Sequence, residues 1–90
     1  MYAVVHTVTL TDRSAAEAAL GEVVPTVTGL PGFVAGYWVA RTANEGVALV
    51  MFESEEAAQG FANFLKTAPD EPGTTLNRDS IDVGQVLASA

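Results

Sequence analysis

The apolar residues fall into segments with two different periods, and their order predicts the secondary structure. Residues 2–10 are rich in Val and Thr and end at a polar Thr-Asp pair, which favours a β-strand. Similar runs predict strands at 33–41 and 47–52, and a final strand from about Asp79 to Ala88. Between the first and second strands, apolar residues recur at helical spacing and predict a helix. They are Ala16, Leu20, Val23, Val24 and Val27.

Capping signals place the first predicted helix. Ser14 and Glu17 match the S-x-x-E capping box, in which both side chains satisfy free N–H groups, and Asp12 is an alternative cap. Pro25 is expected to kink or end this helix because its ring clashes with the preceding turn. The run Gly29–Gly32 is a strong stop and turn signal.

The second predicted helix has clearer ends. Ser54 is a good N-cap, Glu55 and Glu56 lie in the first turn, and Lys66 lies near the C-terminal end. Its apolar stripe comprises Ala57, Ala58, Phe61, Phe64 and Leu65. The resulting order, β-α-β-β-α-β, predicts one α+β domain over residues 1–90. The pattern is ferredoxin-like, with two helices on one face of a four-stranded antiparallel sheet.

The strands are apolar on both faces, although a sheet that is covered on one side normally alternates apolar and polar residues. Along the second strand, one face is expected to carry Phe33, Ala35, Tyr37 and Val39, and the other Val34, Gly36, Trp38 and Ala40. Two helices cover only one face, and monomers rarely expose an apolar patch of several hundred Å². The sequence therefore predicts a homodimer that packs sheet against sheet.

Composition narrows the function classes. Four Lys and Arg residues against eleven Asp and Glu give a net charge of −7, which disfavours nucleic acid and anionic membrane surfaces as partners. There is no cysteine, no apolar run long enough to span a membrane and no recognisable secretion signal, so a cytoplasmic protein is expected. The single Lys and the high alanine content are typical of a GC-rich bacterial genome.

Few residues carry candidate chemistry. His6, the only histidine, is the candidate general base, with a hydrogen-bonded strand histidine as the alternative. Tyr37, Trp38 and Arg41 are candidate ligand contacts: the aromatic residues to orient a ring, and Arg41 to bind a carboxylate or phenolate. Core, dimer-contact or solvated positions are the alternatives. No nucleotide-phosphate motif is present, and the sequence predicts neither a cofactor nor a metal site.

The sequence resembles the dimeric α+β barrel superfamily, and within it the small proteins similar to antibiotic-biosynthesis monooxygenases. The resemblance covers nearly the whole chain and rests on a Val-rich first strand, on Leu30-Pro31-Gly32-Phe33-Val34 with Gly36-Tyr37-Trp38, and on Phe52-Glu53-Ser54-Glu55-Glu56-Ala57-Ala58. It implies a barrel formed across a twofold axis and a cavity in each subunit. Some members oxidise phenolic substrates without metal or flavin, and others degrade haem. Several oxygenase-like members carry a His where Phe64 precedes Leu65 here.

Two hypotheses follow. The first is a cofactor-independent, monooxygenase-like enzyme, or a binder of a small aromatic or hydrophobic ligand, with His6 as the base and Trp38 or Tyr37 as the orienting residue. The second is a non-catalytic homodimeric module whose apolar sheet serves assembly alone. A regulatory amino-acid-binding domain of similar topology is a third alternative.

Overall fold

A computed structural model describes residues 1–90 and shows the predicted element order. Its elements are β1 (Tyr2–Leu10), α1 (Arg13–Thr28), β2 (Phe33–Ala40), β3 (Glu45–Phe52), α2 (Glu55–Thr67) and β4 (Thr74–Gln85). All three strand pairings are antiparallel, in the order β2-β3-β1-β4. The ferredoxin-like α+β fold predicted from the sequence is therefore confirmed.

Helix α1 begins at the alternative cap and continues further than its proline predicts. The side chain of Asp12 accepts a hydrogen bond from the backbone N–H of Ala15, so Asp12 is the N-cap in place of Ser14. Pro25 was expected to kink or end the helix; it does not end it, because α1 continues to Thr28. Pro25 and Gly21, four residues earlier, are exposed, so the carbonyl that loses its helical partner lies towards solvent.

Helix α2 supplies most of the helical part of the core. Ser54 caps it as predicted, accepting a hydrogen bond from the N–H of Ala57. It packs across β4, β1 and β3, and the ring centroids of Phe52 and Phe61 lie 5.5 Å apart. The core cluster comprises Val4, Val27, Val50, Phe52, Ala58, Phe61, Ala62 and Ile81. Neither α1 nor α2 combines the length and the apolar content that a membrane crossing requires.

Strand β4 differs most from its prediction. It begins at Thr74, five residues before the expected start, and ends at Gln85. The strand starts early because β4 pairs with β1 on both sides of an irregularity in the register. Val5 pairs with Asp82, whereas Thr7 pairs with Asn77. At this irregularity the Ser80 hydroxyl accepts a hydrogen bond from the backbone N–H of Thr7 at 2.8 Å.

A second irregularity changes the face on which Phe33 lies. Phe33 pairs with Phe52, whereas Ala35 pairs with Met51, so one residue of β2 is extra. Phe33 therefore packs on the helix side, edge-on to Phe52 at 6.4 Å, and not with Ala35 and Tyr37 as the simple alternation predicts. From Ala35 onwards the predicted faces of β2 agree with the register.

The sheet has one covered face and one uncovered face. We call the uncovered one the open face; on β2 and β3 it comprises Ala35, Tyr37, Val39, Val47, Leu49 and Met51. Tyr37 pairs with Leu49 across these strands, and their residues are 58% and 37% exposed. Val39, beside them, is 50% exposed. The chain thus presents a continuous apolar surface that neither helix reaches.

Candidate functional site

A cleft lies between α1, the C-terminal end of α2 and the covered face of the sheet. It exists because α1 packs loosely: only Ala16 and Val27, near its two ends, are buried. The cleft has a volume of about 470 Å³ and is mostly apolar. Its principal lining residues are His6, Val8 and Ala48 from the sheet, Leu20 and Val23 from α1, Phe61, Phe64 and Leu65 from α2, and Trp38.

The first turn of α1 is held by the loop that precedes β4. The backbone N–H groups of Thr11 and Asp12 both donate to the carbonyl of Gly73, at 2.9 and 3.1 Å. Gly73 has a φ of +78°, which L-residues rarely adopt, and an added Cβ would lie 2.6 Å from the backbone N of Ala16. This contact therefore fixes one end of the cleft, and it requires glycine.

His6 lies on the covered face of β1, and its side chain borders the cleft. The residue is 7% exposed, and its Nδ1 is buried without a hydrogen-bond partner. Desolvation by burial lowers the pKa of His6 below its ordinary value of 6.5, so the imidazole is neutral at pH 7. A neutral imidazole has one N–H donor and one acceptor nitrogen. His6 therefore offers a ligand a polar partner that the protein itself leaves unused.

The stability of the protein should depend on pH through His6. The unfolded chain binds a proton near pH 6.5 and the folded chain only at lower pH, so stability decreases as the pH falls below about 6.5, by at most about 1.4 kcal/mol per pH unit. The decrease ends below the lowered pKa. His6→Leu should remove this component and raise the free energy of unfolding by about 1 kcal/mol at pH 7, because an unpaired buried polar group is lost.

Urea unfolding of both proteins at several pH values measures the effect. Thr9→Ala, on the same strand but exposed, is the matched control and should retain the wild-type pH dependence. Equal pH profiles for wild type and His6→Leu would show that His6 does not titrate as its burial implies.

Trp38 forms a wall of the cleft, and Gly36 sets the position of its ring. Trp38 pairs with Ala48 and Gly36 with Val50, so both lie on the covered face. The indole lies back along the strand, and a Cβ added at Gly36 would meet its Cη2 at 2.8 Å and its Cζ3 at 2.9 Å. The absence of a side chain at Gly36 is what lets the indole lie flat and leaves the cleft open.

Gly36→Ala should displace the indole of Trp38 from its place beside the core and lower stability by about 1–3 kcal/mol, the usual range for overpacking. Trp38 is the only tryptophan, so its fluorescence reports the change directly, and we expect emission at longer wavelength. Gly84→Ala is the control, because no atom lies within 4 Å of its added Cβ. Unchanged emission in Gly36→Ala would contradict this packing.

The other two candidate ligand residues lie outside the cleft. Tyr37 is on the open face, since the alternation of β2 directs it away from Trp38. Arg41 follows the end of β2, and its Nε lies 2.9 Å from Oε1 of Glu45. Arg41 is thus a solvated ion-pair partner at the β2–β3 turn.

The cleft rim carries charges that the sequence patterns did not single out. Its charged residues are Arg13, Glu17, Glu22, Asp70 and Glu71. Arg13 Nε lies 2.9 Å from Oε1 of Glu17, and Asp70 Oδ1 lies 3.4 Å from Nη1 of Arg78, beyond the rim. Arg78 also donates to the carbonyls of Lys66 and Ala68, which ties the C-terminal end of α2 to β4. Arg13 and Glu17 are four residues apart on α1, whereas Arg78 contacts residues 8 to 12 positions away, which no local motif announces.

The side chains present no cluster typical of a metal centre. No group of three or more His, Asp or Glu side chains is close enough together to hold a metal ion. The acidic residues at the start of α2, Glu55 and Glu56, are exposed and lie in the first turn, where the helix dipole favours carboxylates.

Two solved structures share this fold over nearly the whole chain. The haem-degrading protein Rv3592 of Mycobacterium tuberculosis is 20% identical, with a TM-score of 0.56 over 99% of this chain and 96% of that one. The monooxygenase from the gene ActVA-Orf6 of Streptomyces coelicolor, in complex with nanaomycin D, is 22% identical, with a TM-score of 0.51 over 98% and 92%. No protein-family model and no curated protein sequence matches the chain. The resemblance inferred from the sequence is thus confirmed at the level of the fold, which alone assigns no activity.

Proposed function

We propose that the cleft binds a small aromatic molecule and that the ligand's hydroxyl group pairs with the imidazole of His6. The observation that carries this proposal is the neutral imidazole of His6, whose Nδ1 has no partner in the protein and whose side chain lines a mostly apolar cleft. A polar group that a ligand covers without pairing with it costs about 1–3 kcal/mol, so a ligand hydroxyl that pairs with the imidazole avoids this cost. Binding sites for small molecules commonly combine an apolar lining with a few such polar groups.

The same geometry supports proton abstraction from a phenol. Because His6 is neutral at pH 7, it is ready to accept the phenolic proton, and the phenolate that forms is far more easily oxidised than the phenol. With dioxygen as co-substrate, a phenol with a free para position gives a quinone and one water, so four electrons pass from the ring to O₂. The fold is shared with a monooxygenase, which supports this class of reaction for the cleft. In this mechanism His6 is the base and Trp38 holds the ring.

The proposal is tested with 2-naphthol as the probe and thermal unfolding as the measurement. At a ligand concentration of about 100 times Kd, binding should stabilise the protein by about 2.7 kcal/mol. His6→Leu should lose most of this stabilisation even though its own stability is higher, and the control Thr9→Ala should retain it. Equal stabilisation of wild type and His6→Leu would show that His6 does not contact the ligand. Oxygen consumption with 1-naphthol, which has the free para position that 2-naphthol lacks, separates turnover from binding alone.

A second candidate function, a non-catalytic homodimeric module, is favoured by the open face. Its exposed apolar residues, Tyr37, Val39 and Leu49, adjoin one another on two paired strands. We propose that a second copy of the chain covers this face, because a patch shared by both copies is self-complementary across a twofold axis. The dimer and the cleft use opposite faces of the sheet. The protein can therefore be a dimer whether or not the cleft binds a ligand.

A further inference from the structure

The carboxylates of the cleft rim outnumber the cations. Four carboxylates line the rim, Glu17, Glu22, Asp70 and Glu71, against one lining guanidinium, that of Arg13. Arg13 is paired with Glu17, and Arg78 pairs with Asp70 from outside the lining. Glu22 and Glu71 form no ion pair. Two negative charges therefore remain uncompensated at the mouth of the cleft.

The chain has no other cation to offset them there. Arg41 is paired with Glu45 beyond the end of β2, and Lys66, the only lysine, does not line the cleft. The cleft is bordered by α1 from Arg13 to Val27 and by the last turn of α2, so helix partial charges of both signs lie along it. The charged side chains therefore set the electrostatic potential at the mouth of the cleft.

The floor of the cleft contributes no compensating charge either. His6 is its only titratable group, and burial keeps the imidazole neutral at pH 7. An anionic ligand would thus enter past Glu22 and Glu71 and find no ion-pair partner inside. For a carboxylate or phosphate, desolvation in an apolar site without such a partner is strongly unfavourable.

We infer that the cleft selects uncharged or cationic aromatic ligands and discriminates against anionic ones, such as carboxylated or phosphorylated rings. This inference rests on the proposed binding function and adds the charge class of the ligand. The imidazole of His6 sets where a hydroxyl or ammonium group binds, and Glu22 and Glu71 set which charge is admitted.

Three naphthalene ligands of the same ring size test the inference: 2-naphthol, 2-naphthoate and 2-naphthylmethylammonium. Isothermal titration calorimetry at pH 7 should give the cation and the neutral ligand tighter binding than the anion. At an ionic strength of about 0.01 M we expect the cation to bind about tenfold more tightly than the anion, because two partly solvated charges act over several ångströms. Near 1 M salt this ratio should approach one, since the screening length is only about 3 Å.

Charge variants show whether the rim itself discriminates. Glu22→Gln/Glu71→Gln should remove most of the difference between cation and anion and leave 2-naphthol binding unchanged. Glu55→Gln/Glu56→Gln, at the exposed start of α2, makes the same change in net charge and should leave the ratio as in wild type.

Three results would overturn the inference. One is binding of 2-naphthoate as tight as that of the cation, and another is an equal loss of discrimination in the two double variants. In both cases 2-naphthol still binds and the proposed function stands. The third, binding of none of the three ligands, overturns the proposed function together with this inference.

Discussion

Replacing Gly73 by Ala should lower the free energy of unfolding by about 3 kcal/mol, a large share of the roughly 5–15 kcal/mol that stabilises a domain. A non-glycine residue at the φ of +78° costs about 1–2 kcal/mol. The added Cβ also meets backbone atoms of Asp12 and Ala16, which cannot rotate away as a flexible side chain can. The chain relieves this contact by separating the loop from the first turn of α1, so the two hydrogen bonds to the Gly73 carbonyl are lost.

Urea unfolding measures the stability, and amide hydrogen exchange at Thr11 and Asp12 should show where the structure opens. Gly60→Ala is the matched control: Gly60 lies in α2 with no atom within 4 Å of its added Cβ, so the better helix former should raise stability by up to about 1 kcal/mol. If Gly73→Ala were as stable as wild type, the loop would not hold α1 in the way described.

The open face should make the protein a dimer, and charges placed on it should separate the two copies. Light scattering at micromolar concentration should give wild type twice the 9.3 kDa mass of one chain. Tyr37→Glu/Leu49→Glu adds two carboxylates at paired positions, which must be desolvated when sheet packs on sheet. We expect its dissociation constant to rise at least about 100-fold, equivalent to about 2.8 kcal/mol.

The control for added charge is Gln59→Glu/Asn63→Glu. These side chains hydrogen-bond to each other on the exposed surface of α2, away from the sheet. This variant should retain the dimer mass, because the site that receives the charges is not covered. A wild-type mass of one chain, or dissociation of both variants, would contradict assembly through the open face.

Local sequence signals predicted most of the fold. The Val- and Thr-rich run of β1 and the cap at Ser54 define their elements because the relevant interactions lie within a few residues. The early start of β4 was missed because Thr74 and Thr75 are polar and form no apolar run. They are part of the strand only because they pair with β1. The extra residue near Phe33 was missed because simple alternation assumes an uninterrupted register.

The site was less accessible to prediction than the fold. His6 was identified because it is the only histidine, but its burial and unpaired nitrogen depend on what packs above it. The cleft itself arises from the distance of α1 from the sheet, and a stripe containing Leu20 and Val23 gives no sign that these residues stay only partly buried. Tyr37 and Trp38 were correctly placed on opposite faces, yet only the position of the helices shows which face borders the cleft.

The most direct test of the account follows the imidazole nitrogens of His6 by ¹H–¹⁵N NMR during titration with 2-naphthol. His6 is the only histidine, so both imidazole nitrogen signals belong to this residue. We expect an imidazole nitrogen signal of His6 to move progressively and to saturate together with binding measured by calorimetry. Calorimetric saturation with both imidazole signals unchanged would contradict it, because the ligand would then occupy a site that does not include His6.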